Sequence, residues 1–236
     1  VDNDIFVEGP LEKLTKKEDP AFYDLNKREL ESIDLVDVVN AARVSFNKQS
    51  WPDMYKPMED KDKKLIQYLG KHKHLSPFGH CFASFHVKAP IFVARQLVKH
   101  EYLRFNEISR RYVSDSVEFY KPEGWRKKAP SLKQGSLEEF VDIDDAIVDE
   151  FNDRALDVYN ELLNAGVAPE MARMVLPTSL YTEWIWSGSL DAFANMVNLR
   201  TGEGTQKEAT MVAEQVSDIM SELYPESWKA LTDAGT

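Results

Sequence analysis

The sequence predicts a mixed α/β domain of the α+β kind, with helices outnumbering strands. Three observations carry that expectation. Over residues 140–162 the apolar side chains step by three or four positions, the spacing of an amphipathic helix, and shorter stretches repeat the pattern. Residues 82–88 alternate instead, the two-residue period of a half-buried strand. Finally, 236 residues that are 43% hydrophobic and 11% aromatic supply a sizeable core.

Taken along the chain, residues 1–27 are polar and weakly patterned and are expected to wrap the surface. Ile33, Val36, Val39 and Val44 recur at near-helical spacing, which predicts a helix over 30–46 ending near Ser45, before a loop with Pro52 and Pro57. Residues 60–68 read as a short helix stopped by Gly70 and the run Lys71-His72-Lys73-His74. The strand over 82–88 presents Phe82, Ser84, His86 and Lys88 on one face and Ala83, Phe85 and Val87 on the other. Pro90 fits the first turn of a helix over 91–98, where its missing N–H costs nothing.

Residues 101–112 are polar without a clear period and read as a loop, 113–120 as a strand, and 121–136 as a loose basic insertion loop. The longest helix is expected from a cap at Ser136 through Phe140, Ile143, Ile147, Phe151, Ala155, Val158 and Leu162 to a stop at Gly166. Pro169 opens a helix that Pro177 ends. Residues 181–186 suit a short strand or a tight helix, and 190–199 and 206–223 read as the last two helices. With no repeat and no low-complexity tract, the whole of 1–236 is expected to be one domain.

Composition excludes several functions. Twenty-nine Lys and Arg against 40 Asp and Glu leave a net charge of −11, unsuited to a general nucleic-acid binder, which needs a basic face to replace phosphate counterions. The single Cys81 allows no intrachain disulfide and no thiolate-rich metal site, and it suits a reducing, cytoplasmic setting. No apolar run reaches the roughly 20 residues needed to span a bilayer, and the acidic start Val1-Asp2-Asn3-Asp4 does not resemble a signal peptide. No nucleic acid, membrane or resident metal is therefore expected. Glycine-rich dinucleotide loops, a phosphate-loop lysine motif and a nucleophile elbow are all missing, so Ser109 is not read as a nucleophile.

Three clusters could carry chemistry. Residues 95–112 hold five Arg or Lys against two Glu, a local excess of positive charge in an acidic chain. Such a cluster can be a solvated face. Here Gln96, His100, Asn106, Ser109 and the pair Arg110-Arg111 mix donors in a way that suits a phosphate or other multiply charged anion. His72, His74 and His80 invite a metal, but no carboxylate or cysteine completes a ligand spacing and Lys71 and Lys73 repel cations. Surface or core histidines fit better, and a neutral imidazole beside a ligand remains open. The third cluster is Arg173, Asn195, Asn198 and Arg200, where Arg200 either satisfies the last carbonyls of its helix or reaches a ligand.

Together these segments resemble the flavin-dependent thymidylate synthases, the ThyX family. The family signature Arg-His-Arg, seven residues, Ser appears as Lys99-His100-Glu101, seven residues, Ser109. The flanks match closely: Ala89-Pro90-Ile91-Phe92-Val93-Ala94-Arg95-Gln96, Asn106-Glu107, Arg111-Tyr112, Ala41-Ala42-Arg43-Val44-Ser45-Phe46, His74 with Ser76-Pro77-Phe78, Ala172-Arg173-Met174-Val175-Leu176-Pro177, and Asn198-Leu199-Arg200. The resemblance is strongest over 30–225. It implies a central mixed sheet flanked by helices, with a helical C-terminal part.

The resemblance also implies a chemistry: dUMP becomes dTMP, with methylenetetrahydrofolate giving the carbon, NADPH the reducing equivalents and FAD the hydride, in a homotetramer with active sites between subunits. By position, Ser109, Arg110 through its backbone, and Arg111 would hold the dUMP phosphate, joined by Arg173 from another subunit. Gln96 and Glu107 would contact the nucleotide, and Arg200 would lie against the pyrimidine and stabilise charge as C5 becomes nucleophilic. His74 would sit by flavin and nucleotide as a second catalytic candidate. Ser76, Lys99, His100, Glu101 and Asn195 would face the flavin.

The family pattern also breaks at identifiable places. Lys99 and Glu101 replace arginines, Gly79 a glutamate, Asp191 an arginine and Gly204 a histidine, while Arg104 adds a cation at a position usually small. The nucleotide side is thus nearly intact and the flavin side rewritten. Two other functions stay open at this point: a relative that modifies C5 of a deoxypyrimidine monophosphate differently, such as by hydroxymethylation, and a catalytically weak nucleotide-binding homologue.

Overall fold

Two nine-residue strands form the spine of the sheet. The computed structural model describes residues 5–8, 38–44, 58–111, 117–130 and 135–233. In it β2 (Phe82–Pro90) and β6 (Tyr181–Ser189) pair from Phe82 opposite Ser189 to Pro90 opposite Tyr181. β1 (Phe6–Glu8) adds to β2 and β3 (Leu103–Glu107) adds to β6, in the order β1-β2-β6-β3. Every one of these pairings is antiparallel. The expected mixed sheet is therefore corrected: β2 and β3 are separated by the oppositely running β6, so no parallel pair forms among the described residues. The α/β class itself, of the α+β kind, is what the molecule shows.

Alternation in β2 does what its sequence says. Ala83, Phe85, Val87 and Ala89 are buried, while Ser84, His86 and Lys88 sit half-buried on the other face. There His86 meets Glu183 at 2.8 Å and Ser84 meets Ser187 at 2.8 Å across the strand pair. The buried face carries α6 (Leu190–Arg200), which follows β6 without a loop and packs Phe193 edge-on against Phe85 and Trp186, ring centroids 4.9 and 5.4 Å apart. α7 (Lys207–Leu223) buries Ala209, Val212, Ala213, Val216, Met220 and Leu223 at helical spacing. Most of the buried apolar residues form one cluster running from Ile5 to Ala230.

Several expectations change. The helix expected over 60–68 runs further, as Asp60–Lys71, and Gly70 lies inside it. A Cβ on Gly70 would stand 2.4 Å from the Ala230 carbonyl oxygen, so this glycine permits close packing and does not stop the helix. That contact is made by α8 (Pro225–Thr232), a helix not expected from the sequence. Pro90 ends β2 with extended backbone and caps α3 (Ile91–Leu97) from outside its first turn. The supposed loop over 101–112 contains β3, which finds its partners in β6 and needs no strong period of its own.

The loose linker and the start of the long helix are also corrected. β4 (Trp125–Lys128) pairs with β5 (Ser136–Val141) as a separate two-stranded ribbon, so Ser136 opens a strand and does not cap a helix. The long helix is Ala146–Asn164, followed by Gly166 at φ 85°, the left-handed backbone that favours glycine. Its apolar stripe is incompletely covered within one chain: Ile147 and Phe151 are 65% and 59% exposed. Of the strand expected over 113–120, the described residues keep one bridge, Phe119 to Leu180. Residues 112–116 lie outside the described residues, as do 9–37 and 45–57 with their expected surface wrap, helix start and loop. Residues 181–186 are part of β6, settling them as strand.

Candidate active site

A larger cleft of about 1010 Å³ opens between α3, the end of α6, the start of α7 and the ribbon β4–β5. It is built around Arg200, the last residue of α6. Arg200 donates from Nε to Nε2 of His100 at 2.9 Å and from Nη2 to the backbone carbonyl of Gln96 at 2.8 Å. Of the two open roles, therefore, it does not satisfy its own helix end; it reaches across to the segment after α3. Burial, and then the Arg200 charge, hold the His100 pKa down to about 4. His100 is thus neutral near pH 7, and since Nε2 accepts, its proton resides on Nδ1.

The opposite wall is a polar cluster around Glu208, which is 3% exposed. Arg126, from the ribbon, donates Nη2 to both carboxylate oxygens at 2.6 and 2.9 Å, and the Tyr120 hydroxyl donates at 3.2 Å. Burial is the largest influence and opposes ionisation of Glu208, but the hydrogen bonds and charge of Arg126, with a backbone hydrogen bond and Gln206, together outweigh it and hold the carboxyl below its usual range. Burial, helped by Glu208, pushes the Tyr120 phenol up, so it stays protonated. The Arg126–Glu208 pair, 82 residues apart, fastens the ribbon to α7 over the cleft. At the rim a Cβ on Gly135 would stand 3.1 Å from the Gly204 Cα, so ribbon and loop meet backbone to backbone.

The smaller cleft, about 240 Å³, is lined by Glu107, Ser109, Arg110 and Arg173 among others. Its frame follows from β3: Glu107 ends the strand and accepts from Thr182 Oγ1 of β6 at 2.7 Å, which delivers Ser109 and Arg110 just beyond. Arg111 is exposed at the edge, its backbone N–H donating to Ser109 Oγ at 3.3 Å and its guanidinium 3.5 Å from Glu170. Arg173, expected from another subunit, lines this cleft in the same chain as Ser109, because the turn Arg173–Val175 leads straight into the segment beside β6. The two clefts share no lining residue.

The sequence-predicted residues therefore fall into three places. Gln96, Lys99 and Arg200 line the larger cleft, with His100 bonded to Arg200. Glu107, Ser109, Arg110 and Arg173 line the smaller, with Arg111 at its edge. His74, Ser76, Glu101 and Asn195 line neither and are exposed. His74 follows the helix Asp60–Lys71, its ring 6.1 Å from those of Tyr68 and His72. Asn198 donates to the Leu231 carbonyl at 3.0 Å and ties α6 to α8.

The positions that depart from the family pattern have local explanations. Asp191 accepts from Ser189 Oγ at 2.6 Å in the first turn of α6, a favourable place for an acid. Gly79 leaves room beside it, a Cβ there standing 3.9 Å from Asp191 Oδ1. Gly204 adopts φ 78°. Tyr120, Arg126, Gln206 and Glu208 were missed by sequence reasoning. The legible signal was Glu208 itself, an acid in the i+4 row with Val212, Val216 and Met220 on the buried face of α7.

The sequence matches the family model described as thymidylate synthase complementing protein over residues 32–226. It is 41% identical over 197 residues to a flavin-dependent thymidylate synthase of Thermus thermophilus, covering 83% of this chain and 71% of that protein. A protein of the same name from Kosmotoga olearia is 41% identical over 198 residues, 81% of this chain and 83% of its own. Among solved structures, the UMP/dUMP methylase PolB of Streptomyces cacaoi bound with 5-Br dUMP superposes with a TM-score of 0.73 at 32% identity, covering 85% of this chain and 90% of that one.

Proposed function

This chain belongs to the flavin-dependent thymidylate synthase family, and from that premise we propose that it methylates dUMP at C5 to give dTMP, with methylenetetrahydrofolate and NADPH as co-substrates. The observation that carries the proposal is the larger cleft, where Arg200 is held by a neutral His100 and the Gln96 backbone beside a cavity of nucleotide size. Two of the guanidinium's five N–H groups are used by those bonds, which leaves donors for a pyrimidine oxygen. A fixed cation there favours electron density moving onto the pyrimidine as C5 attacks, the kind of preorganised stabilisation that lowers a barrier by about 3 kcal/mol.

Binding is assigned to the cationic groups of the smaller cleft. Ser109, Arg110 and Arg173, with Arg111 at its edge, suit a phosphate, while Glu107 and Gln96 suit the polar edges of sugar and base. Because base-binding and phosphate-binding residues line separate clefts of one chain, the complete site is proposed to form between copies in a homotetramer. Partner contacts covering Ile147 and Phe151 would remove apolar surface that one chain leaves open.

The donor set also fits FAD. Ser76, Asn195, Lys99 and Arg104 are exposed donors, although Glu101 among them weakens the attraction for a pyrophosphate. When bound, FAD supplies the hydride that completes the methyl group. His74 would lie against the flavin and nucleotide, and His100 contributes by orienting Arg200. The chain is read as a single domain with a cytoplasmic setting.

The test is direct: purified protein supplied with FAD, NADPH, methylenetetrahydrofolate and dUMP should yield dTMP by mass. A hydroxymethyl product would move the chain to a different C5 chemistry. Nucleotide binding without any product would make it a binding homologue. Running UMP in parallel tests whether it shares the ribonucleotide named for the Streptomyces relative.

A further inference from the structure

The hydrogen bonds around the larger cleft have a direction, and one buried carboxylate sets it. Glu208 is 3% exposed and ionised, so both its oxygens accept only. Gln206, which precedes α7, helps lower the Glu208 carboxyl through its side chain, and toward a carboxylate that only accepts it can offer only its amide NH₂. Its Oε1 is thereby left as an acceptor. Gln96 Nε2 donates to this oxygen at 2.6 Å and, at 3.4 Å, to the Phe92 carbonyl. Both amide hydrogens of Gln96 are committed, and Oε1 is the part of its side chain left for a ligand. A glutamine without such an anchor can flip and offer either a donor or an acceptor.

We propose that Glu208 and Gln206 are positioning residues that lock the Gln96 amide with its carbonyl oxygen toward the ligand, and that this lock makes the cleft select a pyrimidine bearing N3–H over one whose N3 is bare. The proposal rests on the assignment of Gln96 to the nucleotide and adds which edge of the base it reads. Uracil offers a donor at N3 to the fixed oxygen. Cytosine presents a lone pair there, so the bond is lost and two acceptors face each other. Arg126 and Tyr120 belong to the same device, since they compensate the buried Glu208 charge and keep it an acceptor.

The experiment is calorimetric titration of the full chain, with and without FAD, using dUMP and dCMP. Wild type should prefer dUMP by tenfold or more. Gln206→Met cuts the relay while leaving Arg126–Glu208 intact, and should lower the preference by about tenfold with little change in melting temperature. Gln206→Glu still offers an oxygen to Gln96, whether ionised or protonated, and should keep the preference. An unchanged dUMP:dCMP ratio in Gln206→Met overturns the relay, and so does an equal loss in both variants. A wild type that binds both nucleotides alike overturns the selection alone. A wild type that binds neither overturns the proposed function and the relay with it.

Discussion

The wall of the larger cleft and the outer face assigned to the flavin hold similar kinds of side chain in opposite states. In the cleft, Arg200 is tied to His100 and Gln96, and Arg126 to a buried Glu208. On the outer face, Ser76, Glu101 and Asn195 are exposed. The first region is preorganised by contacts within one chain, so its geometry exists before a ligand arrives. The second depends on what binds there, and there the family pattern has been rewritten.

That contrast can be broken, most sharply at Arg200. Arg200→Ala should reduce kcat by roughly 10²–10³ with a smaller change in dUMP affinity, measured by steady-state dTMP formation; equal turnover would show that the cleft is not the reacting site. Next in size, Arg111→Ala should weaken dUMP binding by roughly 10- to 100-fold in a titration, as loss of a charge-assisted phosphate contact predicts. Unchanged affinity would remove residues 109–111 from the nucleotide. On the outer face, Glu101→Arg should tighten FAD about two- to fivefold by flavin fluorescence, since an exposed charge contributes little. A loss of affinity there would mean that the acid faces a donor of the cofactor.

The smallest effect sharpens the comparison through pH. His100 has a folded pKa of about 4, below its ordinary 6.5, so folding favours the neutral ring. The stability it contributes is complete above pH 6.5 and is lost as pH falls from 6.5 toward 4, because the unfolded chain takes up the proton first. The thermal midpoint of wild type should decline more steeply over that window than that of His100→Asn. Identical slopes would show that His100 is not held neutral by burial and Arg200.

Much of the candidate site was readable because a cluster of residues able to bind an anion is unusual in an acidic chain. Arg110, Arg111 and Ser109 stand out by composition, and the matching flanks place them. What escaped was pairing. Residues 103–107 have a weak alternation because β3 lies at a sheet edge, with only Leu103 and Phe105 turned inward. The ribbon β4–β5 looked like a loop and a helix start, since Phe140 and Ile143 continue a helical spacing by coincidence up to Asp144. Glu208 stands in the sequence as one more acid on a helix, although its place on the buried row requires a partner.

By itself the sequence determined the local periods: alternation in β2, the buried stripes of α6 and α7, the stops at Gly166 and before Pro177, and the set of cationic residues available for an anion. These follow from side-chain spacing and backbone preference, which act over a few residues. Only the tertiary structure decided that β6 runs between β2 and β3, that Arg126 meets Glu208 across 82 residues and that Arg200 meets His100 across 100. The reason is physical. A strand edge or a buried charge is stable only with its partner, and that partner is chosen by how the whole chain packs.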